Sequence, residues 1–180
     1  MPTRIATLVA VALLLLPAAA GARRANAIAP ASACPHQTEL GAPAGVQLRA
    51  MLCMTNFARR ADGLPPLTRS RPLARAAARK SADILRCDEF SHEACGREFT
   101  YWMSRFGYTR GCWSAGEDIA YGTGDLGTVR SIFIDWMNSP GHRANILGKF
   151  RKIGIGRRVG SIERAQGAVV WTQDFGSHGC

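Results

Sequence analysis

Six cysteines in a chain of 180 residues, none of them in a Cys-x-x-Cys pair, constrain this fold more than any other feature. Cys34, Cys53, Cys87, Cys95, Cys112 and Cys180 form an even set. Zinc ribbons and dithiol redox centres draw on close cysteine pairs, so this spacing points to disulfides made in an oxidising compartment. The N-terminus agrees. Met1-Pro2-Thr3-Arg4 precedes an apolar run from Ile5 to Leu16, then Pro17 and small residues, the layout of an export signal. Cleavage fits after Ala22 or after Ala27, and Ala22 lies nearer the end of the apolar core. The run is shorter than the ~20 residues of a membrane helix, and no later stretch is long enough, so no transmembrane span is expected in the mature chain. The protein is therefore expected to be secreted.

Six cysteines allow fifteen pairings, among which sequence alone does not choose. The expected set is Cys34–Cys53, which would pin the N-terminal tail to the first helix, Cys87–Cys95, which would close a short loop, and Cys112–Cys180, which would hold the C-terminus. Each would contribute ~2–4 kcal/mol by restricting the unfolded chain.

Residues 1–22 are thus assigned to the signal, 23–45 to an Ala/Pro/Gly-rich extended lead-in, and 46–180 to one domain, long enough to bury a core. Val46, Leu48, Met51, Leu52 and Phe57 follow a helical face to Ala61, and Leu64-Pro65-Pro66-Leu67 reads as an extended turn. Ser70 with Pro72 opens a second helix running to about Leu85. A third is expected from Glu98 to Phe106 and a fourth after Asp125, broken at Ser139-Pro140-Gly141. Ala115 to Tyr121 is a short segment of small and apolar residues with no assigned element. Lys152–Val159 and Ala168–Phe175 read as strands. Helices first and strands last make a mixed α and β domain with an antiparallel sheet. Phe99, Trp102, Phe106, Phe133 and Trp136 lie at helical spacing and are expected in the core, as are Trp171 and Phe175.

The chain has 23 Lys and Arg against 13 Asp and Glu, a formal +10, and loss of Arg4 with the signal leaves +9. Such an excess outside the cell draws a protein to anionic lipid heads, acidic wall polymers or acidic glycans. Nucleic acid is not an expected partner, because no recognition helix, zinc-finger spacing or aromatic RNA motif is present. Arg59-Arg60, Arg75, Arg79-Lys80 and Arg86 are expected on solvated helix faces, where an alignment of several would make an anion-binding patch. Familiar catalytic motifs are broken. Cys112-Trp113-Ser114-Ala115-Gly116 lacks the first glycine of a nucleophile elbow, and His92-Glu93-Ala94-Cys95-Gly96 lacks the second histidine of a zinc protease.

Four patterns remain, in order: Phe90-Ser91-His92, Gly116-Glu117-Asp118-Ile119-Ala120, Ser139-Pro140-Gly141-His142-Arg143-Ala144-Asn145-Ile146-Leu147, and Trp171-Thr172-Gln173-Asp174-Phe175. Together with Asn56-x-x-Arg59, Gly63-Leu64-Pro65-Pro66-Leu67 and Ile153-Gly154-Ile155-Gly156, they resemble the CAP superfamily, also called SCP/TAPS or the cysteine-rich secretory protein family, in its bacterial secreted form. The resemblance covers about residues 46 to 176. It implies a three-layer α/β/α sandwich around a central antiparallel sheet, and a cleft where members often place two histidines and two acids. His92 matches the first histidine, Glu117 the first acid and His142 the second histidine, with Ser139 counted beside them. The fourth member has no counterpart, since Trp136-Met137-Asn138-Ser139 stands there. The usual Gly-Glu-Asn is Gly116-Glu117-Asp118, which adds a potential charge beside Glu117.

The resemblance makes His92 and His142 the candidate metal ligands, with zinc as the candidate ion at ~2.0–2.1 Å per Zn–N bond. Glu117 could be a third ligand, could orient a histidine, or could act as a base on metal-bound water. The bland alternative is a structural polar network of Glu117 with Arg143 or of the two histidines. The leading expectation is a secreted binding module at the envelope or cell surface for a lipid, sterol, small apolar ligand or anionic cell-wall polymer. The alternatives are a metal-dependent hydrolase acting on an envelope component, with Glu117 as base, and a structural or adhesion module.

Overall fold

The computed structural model describes residues 27–179, so the export signal expected over residues 1–22 and Cys180 lie outside the described residues. Residues 27–43 are not extended but fold into turns. Ala29 and Cys34 are buried in the core. Turns bury backbone polar groups, and Gln37 satisfies several of them. Its amide donates to the carbonyls of Cys34 (2.8 Å) and Ala29 (3.3 Å), and its side-chain oxygen accepts from Arg130 at 2.6 Å.

Helix α1 (Ala44–Ala61) starts just before the expected Val46. The Leu64-Pro65-Pro66-Leu67 turn is locked by Asn56, which donates to the Leu67 carbonyl (3.0 Å) and accepts from the Leu67 amide (2.8 Å). A two-residue strand β1 (Thr68–Arg69) leads into α2 (Arg71–Cys87), whose N-cap is Ser70 and whose first turn holds Pro72, as expected. Helix α3 (Tyr101–Arg105) is shorter than the expected Glu98–Phe106. Strand β2 (Trp113–Gly122) occupies the segment left without an element. Helix α4 (Val129–Asn138) is capped by Thr128 rather than Asp125, which sits in a single 3₁₀ turn before it. Ser139-Pro140 ends α4 and also starts α5 (Pro140–Ile146). Strands β3 (Lys152–Ile162) and β4 (Ala165–His178) are longer than expected. They form a hairpin through Glu163 and Arg164, both at positive φ (49° and 71°). That two-residue turn normally draws Asn or Gly, so its sequence gave no signal.

The sheet order is β1-β3-β4-β2, antiparallel throughout except for the short β1–β3 pair. One face carries α1, α4 and α5 over a core of Met51, Met54, Phe133, Trp136, Trp171 and Phe175. The other carries α2 and α3 over Leu73, Ile84, Met103, Ile119 and Val170. This is the expected three-layer α/β/α sandwich. Gly154 and Gly156 explain how closely α2 lies on the sheet: an added Cβ would meet the Leu73 carbonyl carbon at 2.0 Å and the Ala77 carbonyl oxygen at 2.2 Å. Cys34–Cys53 and Cys87–Cys95 are paired as expected. Cys112 is also disulfide-bonded, and its expected partner Cys180 lies outside the described residues.

Two of the basic residues expected on solvated faces are buried. Arg59 and Lys80 are each 1 % exposed. Their partners are backbone carbonyls brought from distant segments, which helical spacing does not reveal.

Candidate functional site

Strand β2 is an edge of the sheet. Alternation along it sends Glu117 to the α2 face and Asp118 to the α5 face. On the α2 face, Glu117 Oε1 lies 2.8 Å from His92 Nδ1. The carboxylate side chain is 1 % exposed and the imidazole 51 %, so a desolvated acid holds a solvent-facing ring. Lys80 places the loop carrying His92, donating Nζ–H to the His92 carbonyl and, at 3.4 Å, to the Arg97 carbonyl.

Behind Glu117 lies Asp174, its direct cross-strand partner on β4. Burial, reinforced by the charge of Glu117, pushes the Asp174 carboxyl well above the usual carboxylate range, against the attraction of Lys80. Glu117 Oε2 and both Asp174 oxygens have no protein donor. A proton kept by Asp174 and donated to Glu117 would pair Glu117 Oε2 with one of the two Asp174 oxygens. His92, Glu117, Asp174 and Lys80 therefore form one stack running from solvent into the domain. Asp174, read only as part of the last motif, and Lys80, expected on a solvated helix face, were not placed in the site by the sequence, because only strand register and the packing of α2 bring them there.

On the opposite face, Asn145 near the end of α5 donates Nδ2–H to Asp118 Oδ1 (2.8 Å) and to the Glu117 carbonyl (3.2 Å). Burial raises the Asp118 pKa to about 8, with Asn145 opposing and the Glu117 charge adding to the rise. The expected extra charge beside Glu117 is thus absent at neutral pH: Asp118 points away and stays mostly protonated, a near-isostere of the asparagine it replaces. Gly116 leaves room for Asn145, whose Oδ1 would lie 2.8 Å from an added Cβ.

Helix α5 also carries His142, tilted against Trp136 with ring centroids 6.4 Å apart. Partial burial, then the nearby charge of His92, lowers the His142 pKa, so its ring is neutral at pH 7. Arg59 sets the position of α5. Its guanidinium donates to the carbonyls of Ile146 and Gly148 (2.8 Å each), Phe150 (3.2 Å) and Pro65 (3.0 Å). These include the end of α5, where partial negative charge gathers. Ser139 is half-buried and acts through its backbone, accepting from the Arg143 amide at 2.9 Å. The Glu117–Arg143 contact of the bland alternative is not formed, and Arg143 Nε has no partner.

The site therefore joins His92 and Glu117 directly, brings His142 close enough to feel the charge on His92, and leaves Ser139 as a helix cap. As a metal cage its donor set is incomplete. Glu117 Oε1 is engaged with His92 Nδ1, the position from which a carboxylate orients a histidine ring. Among the described residues, no three His, Cys, Asp or Glu side chains are grouped to hold an ion. No thiol is free there to act as nucleophile. What the arrangement can do is hydrogen-bond. With Nδ1 held by Glu117, Nε2 of His92 is left for a ligand, accepting from a hydroxyl when the ring is neutral and donating when it is charged, and the neutral His142 ring offers both a donor and an acceptor.

Residues 52–175 match the model of the cysteine-rich secretory protein family, CAP. The uncharacterized protein YkwD of Bacillus subtilis is 34 % identical over 152 residues, 82 % of this chain and 54 % of that protein. The chain thus spans about half the length of this curated relative. An extracellular SCP-domain protein from Bacillus anthracis superposes with a TM-score of 0.58 at 25 % identity, over 73 % of this chain and 40 % of that one. An outer surface protein of Borrelia burgdorferi shares the fold at 15 % identity, with a TM-score of 0.64 over 77 % of this chain and 97 % of its own.

Proposed function

Because the chain belongs to the cysteine-rich secretory protein (CAP) family, we propose that it acts outside the cell as a binding module of the envelope or cell surface. Its ligand is a lipid, a sterol or an anionic wall component, held by a polar group in the cleft of His92, Glu117 and His142. The observation that carries this reading is the half-exposed His92 ring fixed by a buried carboxylate. Such a ring presents a fixed hydrogen-bonding nitrogen at low entropic cost, which is what preorganised recognition needs. Export is supported by the N-terminal signal pattern, the disulfides and the extracellular SCP-domain relative. Among the described residues no helix is long and apolar enough to cross a membrane.

The test is co-sedimentation of the protein with purified wall sacculi and with vesicles of envelope lipid, at low and high salt. The wild type is expected to pellet with one of them, and His92→Ala/His142→Ala to lose at least tenfold in affinity with an unchanged melting temperature. Soluble wild type in every condition, or full retention of the double variant, rejects the reading.

A further inference from the structure

The outer face of α2, helix α3 and the turn after it line an open hollow of about 590 Å³ that shares no residue with His92, Glu117 or His142 and whose wall holds Arg75, Arg79, Arg105 and Arg110 with Trp102 and Phe106. No acidic side chain lines it. All four arginines are exposed, and no ion pair to any of them is formed among the described residues. Arg75 and Arg79 stand one helical turn apart, an i,i+4 pair of like charges that weakens a helix unless something else holds it.

Aromatic rings hold it here. The Arg75 guanidinium lies 4.0 Å from the centroid of Phe106, and that of Arg79 lies 5.6 Å from Trp102. Trp102 and Phe106 stack on each other at 5.8 Å. Trp102 is anchored from below: its indole N–H donates to Asp83 Oδ2 at 2.7 Å. Asp83 is itself buried, and although burial would raise its pKa, Arg86, Trp102 and Arg97 hold the carboxyl below its usual range. Asp83 is therefore consumed beneath the floor, while the guanidiniums above keep their donors unspent.

We propose that this cavity is a phosphate-binding site, distinct from the His92 cleft, that takes the phosphate groups of an extended polyanion. Guanidinium forks match phosphate oxygens bidentately. The rings fix the forks in advance, so less conformational freedom is lost on binding. A concave site of this size fits a discrete phosphorylated unit, and its two aromatic rings, Trp102 and Phe106, are half-buried beneath the Arg79 and Arg75 guanidiniums rather than presented to a bilayer, so a soluble phosphate-bearing polymer is favoured over a membrane. The polymer's source rests on the envelope reading above, whereas the phosphate chemistry does not.

The test is titration calorimetry with pyrophosphate, followed by competition with a glycerol-phosphate polymer and by sedimentation with phosphatidylglycerol vesicles. Saturable pyrophosphate binding is expected, weakened at least tenfold by Arg75→Gln/Arg79→Gln. Arg60→Gln/Arg158→Gln removes the same charge elsewhere and should change it less than twofold. Arg75→Lys/Arg79→Lys keeps the charge but not the fork, so it should also weaken binding; circular dichroism checks that each variant folds. His92→Ala/His142→Ala should bind pyrophosphate normally, so loss of sacculus binding in that variant would not touch this site. Equal weakening by both Gln pairs, or no saturable heat, overturns the proposal. Binding to the vesicles without displacement by the polymer overturns the choice of polymer.

Discussion

Single buried residues set the charge state of this domain. Asp118 titrates at about 8 in the folded chain, against ~3.9 for an unperturbed aspartate. The unfolded chain therefore gives up that proton first as pH rises. Stability associated with Asp118 is full below about pH 4 and is lost progressively up to about pH 8. Asp174, also raised by burial, acts in the same direction. Asp118→Asn keeps the acceptor for Asn145 but has no proton to lose, so its melting temperature should gain on the wild type more at pH 8 than at pH 5. A gain independent of pH would refute this assignment. His142 should titrate below the ordinary histidine range in a ¹H–¹³C NMR series, and His92→Ala should move it part of the way back, since burial, the larger cause, remains. Arg59→Ala would strand four carbonyls and release α5, at a cost of about 3 kcal/mol or more in urea unfolding. These residues also mark where sequence reasoning reaches its end. His92, Glu117 and His142 were legible from local motifs. Asp174 and Lys80 were visible as letters but not as members of the site, because their neighbours are more than fifty and about ten residues away respectively.

Elements were legible where their signals are local. Ser70 and Pro72 announced α2, and the Val169–Thr172 run announced β4. Strand β2 was not, since Ala115 to Tyr121, a short run of small and apolar residues around Glu117 and Asp118, shows no strand pattern of its own and becomes strand through the register of β4. The lead-in looked featureless because its order comes from one buried glutamine and a disulfide rather than from periodicity. The glycines of Ile153-Gly154-Ile155-Gly156 have the clearest element-scale role, letting a helix backbone rest on a strand. Gly154→Ala must push α2 away, and a loss on the order of 3 kcal/mol is expected, beyond the usual overpacking penalty because the obstacle is backbone. Chemical denaturation measures it. A loss under 0.5 kcal/mol would mean that α2 does not sit as described.

At the scale of the molecule, two features face outward: the His92 ring held by Glu117 at the edge of the sheet, and an arginine-lined hollow on the layer formed by α2 and α3. The net charge of +10 read from composition is thus not spread evenly in its consequences. Arg59 and Lys80 are spent inside as clamps, and Arg75, Arg79, Arg105 and Arg110 gather at one site. The disulfides tie the N-terminal turns to α1 and close the loop after α2. Ligand recognition by His92 and His142 can be read from histidine-ring ¹H–¹⁵N spectra. With soluble wall fragments or micelle-borne envelope lipid added to the wild type, saturable shifts are expected at the His92 and His142 rings, with His36 and His178 unmoved. Saturable binding that leaves the His92 and His142 signals in place would rule this recognition out.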